Sequence, residues 1–171
     1  MERSDGLGAA KRRGIACGMA YPEPARLTMQ AEQPNIRTVR AGSGRQLIVT
    51  WKGSAESPVD VLPHLACYAV FAPLLNGDLL FHRAHVGDWG WSVQWTEALE
   101  ISADTLWRLT LEQGAAWLHE WRTTRGMTQQ QAAQALGVSP RMWRYYEAGT
   151  HLLPKTVRLA AIGLDVQARA A

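Results

Sequence analysis

The chain is poor in cysteine. Of its 171 residues only Cys17 and Cys67 are cysteines, so no disulfide framework can staple the fold and a reducing compartment is expected. It also lacks any apolar run approaching the roughly 20 residues of a membrane-spanning helix. Arg12-Arg13 begin like a twin-arginine signal, but the "GIACGMA" that follows is too short and too weakly apolar to complete one. These absences point to the cytoplasm. No glycine-rich loop opens a helix and no nucleophile stands beside an evident base, so no catalysis is expected and no cofactor is implied. His64 and Cys67 are three apart, as are His82 and His85, but a closed zinc site needs four converging ligands. On a strand, residues three apart point to opposite faces, so the two histidines make no pair and no metal site is expected.

Net charge is also small, at +3, yet it is unevenly placed. Residues 115–171 carry seven Arg or Lys against three acids, whereas residues 35–114 carry six against eight. The positive excess gathers at the C-terminal end, as a polyanionic partner requires.

That end holds the most specific pattern, "VSPRMWRYYEAG" at residues 138–149. Ser139 is a good N-cap, and Pro140 suits the first helical position, where its missing N–H costs nothing. Val138 before the cap can pack on Trp143 as a hydrophobic staple. Trp143 and Tyr146 then share an apolar face, and Arg141, Arg144 and Tyr145 share another. Gly149 is suited to ending the helix. Just upstream, Thr128 and Gln131 fit a capping box, and Ala132, Ala133 and Leu136 form a stripe. The linker is only Gly137-Val138-Ser139, so two short helices on a tight turn are expected, a helix-turn-helix. Earlier still, "AAWLHEWRTTRG" places Trp117, Leu118 and Trp121 on one face of a helix ending near Gly126.

The stretch from Leu118 to Ala160 resembles the Cro/cI-type (XRE-like) helix-turn-helix family. Leu118, Arg122, "GMTQQQAAQALGVS", Glu147, Gly149 and Pro154 carry the likeness. The resemblance implies an ion pair between Arg122 and Glu147. It also implies a DNA-facing set of Gln129, Ser139, Pro140, Arg141, Arg144 and Tyr145, with Gln129 on the phosphate backbone. The partner it implies is double-stranded operator DNA, read in the major groove by a homodimer. The bland alternatives are a stray surface acid at 147 and an ordinary solvated face at 141 and 144. One departure is that the chain stops soon after "LPKTVRLAAIGL", leaving little room for the family's fifth helix.

The rest of the chain reads differently. Residues 1–34 have glycine, proline and charge without apolar periodicity, so a disordered or mis-annotated extension is expected, with Met19 and Met29 as alternative starts. A basic DNA-binding arm of Lys11, Arg12 and Arg13 is the other reading. Residues 35–110 read as a small β-rich domain. "RQLIVTW" alternates with Leu47, Val49 and Trp51 on one face, and "KGSAES" turns into "PVDVL". "PHLACYAVFAPL" reads as a short helix plus loop. "DLLFHRAHV" reads as a strand, then "GDWG" turns into "WSVQW", with Trp91, Val93 and Trp95 on one face and the tryptophans of "DWGWSVQW" in the core. "SADTLWRLTLEQG" is helical, with Ser102 as N-cap, and bridges into residues 111–171. The pattern "L-x-V-x-W-x-G … VD", then "F … W", resembles a small family of bacterial β-rich domains of uncharacterised function.

The expected fold class is α+β: a small antiparallel-sheet domain followed by an all-α helix-turn-helix domain. The expected function is a DNA-binding transcriptional regulator, a repressor, whose N-terminal domain binds a protein partner or a small-molecule effector. The alternative is an antitoxin-like protein that binds a partner and represses its own operon. No membrane association is expected.

Overall fold

The computed structural model describes residues 34–54 and 56–170. The candidate arm residues Lys11, Arg12 and Arg13 and the internal Met19 and Met29 lie outside the described residues. Strands β1 (Ile36–Ala41), β2 (Gln46–Trp51) and β3 (Glu56–Asp60) form an antiparallel sheet in that order. The alternation in β2 does what period two dictates. Leu47, Val49 and Trp51 are buried on one face, with Val59 opposite Leu47. On the other face Arg40, Ile48 and Pro58 lie side by side across the three strands.

Three short helices follow, α1 (Leu62–Cys67), α2 (Ala72–Asn76) and α3 (Asp78–Phe81). A second antiparallel sheet is built from β4 (His85–Val86), β5 (Ser92–Thr96) and β6 (Leu99–Ser102). Here two expectations are corrected. "DLLFHRAHV" is not one strand but α3 followed by a turn and the two-residue β4. A strand would put Leu79 and Phe81 on one face, but Leu79 is 89% exposed and Phe81 is fully buried. Arg45 holds the helical arrangement, donating to Asp78 Oδ1 at 2.5 Å and to the Leu75 carbonyl at 2.7 Å. Its guanidinium lies 5.2 Å over the Phe81 ring. The second correction concerns "DWGWSVQW", where Trp95 alone of the three tryptophans is core and Trp89 is 86% exposed. Trp89 sits at φ +56 and Gly90 at φ +77, so the chain reverses before β5 begins and Trp91 is left on the turn. A side chain on Gly90 would meet the Ile36 carbonyl at 2.5 Å, which reserves the position for glycine.

Helix α4 (Ala103–Thr123) starts where Ser102 accepts from the Thr105 N–H, as its N-cap role requires. Its 21 residues give a rod about 32 Å long. Leu106 belongs to the core around Trp51, Phe81 and Trp95, with Trp107 and Leu109 packed against it. Leu118 and Trp121 belong to a second core with Ala132, Ala133, Trp143 and Tyr146. The position between residues 110 and 111 therefore lies inside an unbroken helix that serves both cores. Three helices complete the chain, α5 (Gln129–Ala135), α6 (Pro140–Glu147) and α7 (Lys155–Ala170). The class is α+β, with sheets first and helices last.

Candidate nucleic-acid interface

Local chemistry places α5 and α6. The Thr128 hydroxyl accepts from the Gln131 N–H while the Gln131 side chain accepts from the Thr128 N–H, a complete capping box. Gly137 takes φ +67, which lets the Val138 N–H reach back to the Ala133 carbonyl at 2.8 Å and the chain turn sharply. Ser139 then caps α6 by accepting from the Met142 N–H, with Pro140 in the first turn. Trp143 is fully buried and Tyr146 nearly so, on the face opposite Arg141 and Arg144. Alanines at 132 and 133, both fully buried, let α5 and α6 cross closely.

One carboxylate fastens these helices to α4. The Glu147 side chain is only 6% exposed and receives four side chains. Arg122 donates to Oε1 at 2.8 Å, and His119 Nδ1 lies 2.9 Å from the same oxygen. Trp143 Nε1 and Gln129 Nε2 donate to Oε2 at 2.9 and 2.6 Å. Burial by itself would raise the Glu147 pKa. The hydrogen bonds from Arg122, Trp143, Gln129 and His119 outweigh it and hold the carboxyl below its ordinary range. Arg122 also donates to the Met127 carbonyl at 3.0 Å, so its charge is fully engaged.

The Arg122–Glu147 contact is thus the centre of a larger hub. Spacing on the sequence does not reveal the His119 and Gln129 contributions. The one readable signal was Trp143 and Glu147, four apart on one helix. A second brace joins α4 and the turn after it to α7: Arg125 and Trp121 both donate to Asp165, and the Arg125 guanidinium lies 4.4 Å over the Trp121 ring. Neither sequence pattern nor spacing pointed to Asp165.

The outward face of α6 is also ordered. Arg141 Nε donates to the Tyr145 hydroxyl oxygen at 2.9 Å, and the Tyr145 ring stacks on His151 with centroids 4.7 Å apart. This fixes the Arg141 stem while its terminal nitrogens make no hydrogen bond among the described residues. Arg144 is exposed on the same side and makes no ion pair there. Ser139 and Pro140 are exposed at the start of the helix. Gln129 is exposed at the start of α5, but its amide nitrogen is turned onto Glu147.

Two short helices, a tight glycine turn and an exposed basic face on the second helix define a helix-turn-helix module, supported by α4 and α7. Residues 113–166 match the family described as "Helix-turn-helix domain". Among solved structures the chain is similar to NE0471, a proposed DNA-binding protein from Nitrosomonas europaea ATCC 19718. The identity is 29%, with 77% of this chain and 86% of that chain covered, at a TM-score of 0.44. No curated protein matches the sequence. Among the described residues no helix is long and apolar enough to cross a membrane.

Proposed function

We propose that this protein is a sequence-specific DNA-binding transcriptional regulator, a repressor acting in the cytoplasm as a homodimer. The observation that carries the reading is the exposed, oriented Arg141 at the first turn of α6, inside a matched helix-turn-helix domain. In such modules the N-terminal residues of the second helix meet base edges in the major groove. An arginine fork can bond O6 and N7 of one guanine together, worth about 1–3 kcal/mol of discrimination. Tyr145 takes up the Nε donor and leaves the two terminal nitrogens for that pair. Arg144 follows almost one turn later, within reach of a base or a phosphate. Gln129 acts mainly on Glu147, so its DNA contact is at most a positioning one through phosphate.

The test is to select bound duplexes from a random pool, then compare variants on the selected operator and its single-base changes. Arg141→Ala is expected to lose preference at one base pair and its symmetric mate. Gln129→Ala is expected to weaken binding to all duplexes about equally. An Arg141→Ala protein that binds every duplex as the parent does would show that this face is only a solvated surface.

A further inference from the structure

The outer face of the first sheet does not end in solvent. It faces α7 and the segment before it across a groove of about 250 Å³, with the residues around Thr110 and Gly114 of α4 as its floor. Ile48 and Pro58, neighbours in register across β2 and β3, form one wall, and Leu159 and Ile162 of α7 form the other. The groove therefore touches both the first sheet and two helices of the helix-turn-helix domain.

Its charge is not balanced. Arg40, Lys155 and Arg158 line it with a single carboxylate, Glu56. Glu56 is shared between Arg40 at 3.6 Å and Lys155 at 3.4 Å, both at the exposed rim. That leaves Arg158. Its half-buried guanidinium lies 4.9 Å over the Trp117 ring and makes no hydrogen bond or ion pair among the described residues. Burial pulls its pKa below the usual arginine range. A guanidinium carries five N–H donors in a planar fork, and leaving it out of water without an acceptor is costly. The fork matches a carboxylate in particular, which can accept two parallel hydrogen bonds. Apart from the Ser57 and Thr110 hydroxyls, the latter already bonded to the Leu106 carbonyl at 2.7 Å, the remaining walls are aliphatic, so most of the rest of the ligand must be apolar. At about 30 Å³ for each water-sized group, the space holds roughly eight.

We propose that this groove binds a small organic carboxylate with an apolar body, clamped by Arg158, and that the ligand acts as an effector. The effector role rests on the regulator reading above; the binding itself does not. Because α4 and α7 both line the groove and both pack on the helix-turn-helix core, occupancy bears directly on the elements that hold α6.

The probe is hexanoate, which has about as many heavy atoms as the groove admits water-sized groups. The full chain is titrated without DNA and followed by amide NMR. Saturable shifts are expected at Ile48, Gly114 and Leu159, with a Kd of about 1 mM or tighter. 1-Hexanol, equal in length and uncharged, is expected to bind at least about tenfold more weakly. Arg158→Met, which keeps packing on Trp117 and removes the charge, is expected to lose about the same factor for hexanoate and nothing for 1-hexanol. Equal binding of the two probes by the parent protein, or shifts elsewhere only, overturns the proposal even if the variant does not fold. Operator affinity is then measured with and without saturating hexanoate. A change of about threefold or more supports the effector role, and an unchanged affinity overturns it. Hexanoate binding by a protein that binds no duplex at all would sink the regulator reading while leaving the groove assignment standing.

Discussion

The two halves of this molecule are held together by different chemistry. The sheet half closes on large apolar side chains, Trp51, Trp95, Phe81 and their aliphatic neighbours, and among the described residues no carboxylate lies in that core. The helical half is smaller. Its core is Trp143, Trp121, Tyr146, Leu118, Leu153, Val157 and three alanines, completed by a nearly buried carboxylate with four partners. The first half is thus stabilised by the non-directional burial of area. The second needs particular atoms at particular places, because each donor aimed at Glu147 loses its partner if the others move. The charge follows the same division, with the basic excess in the helical half.

The comparison can be broken most strongly at the tryptophans. Trp143→Ala is expected to cost about 3–5 kcal/mol, by cavity formation and by loss of a donor to Glu147. Hydrogen exchange should show α5 and α6 deprotected first while β2 and β3 hold. Equal loss in both halves would mean that they unfold as one. Next comes Glu147→Ala, expected to cost about 3 kcal/mol, since it strands the Arg122 charge in a site where that side chain is only 16% exposed. A Tm within error of the parent would count against the hub.

Acid sharpens the same contrast. The Glu147 pKa is lower in the folded than in the unfolded chain. Its contribution is therefore complete above the unfolded glutamate value of about 4.3 and is lost as pH falls through the folded value. Amide protection in α5 and α6 should drop below about pH 4, and the drop should be absent in Glu147→Gln. Smaller still is Thr128→Ala, which removes half of the capping box and should cost about 1 kcal/mol. The smallest effect is expected from Arg108→Ala. The Arg108–Glu112 pair is half-exposed on α4, and breaking it should cost about 0.3–0.5 kcal/mol.

The helical half was readable because its signals are local. Thr128 with Gln131, Ser139 with Pro140, and Gly137 all act within four residues of where they stand. The sheet half was readable only where alternation is strict, as at Leu47, Val49 and Trp51. It failed at 78–91, where the deciding contacts come from far along the chain. Arg45 pins Asp78 from 33 residues away, and Asn35 donates to the Trp89 carbonyl across 54. The candidate DNA-facing residues fall at the start of α5 and on the first turns of α6, and Arg141, Arg144 and Tyr145 share a side. The inward turn of Gln129 was not readable, since it depends on where Glu147 sits in space. Arg158, with no motif around it, was missed for the same reason.

The continuity of α4 has one more consequence. A helix advances about 1.5 Å and turns about 100° with each residue. One added residue between Leu109 and Trp117 would therefore swing everything after it by more than a quarter of a turn against the sheets. Leu153 could no longer sit against Gly114, and Lys155 would be carried away from Glu56. Leu152, which packs against the sheet core, would be carried away with them. The angle between the sheet face and α6 would change as well. The length of α4, residue by residue, is thus a setting of the orientation of α6 against the sheets.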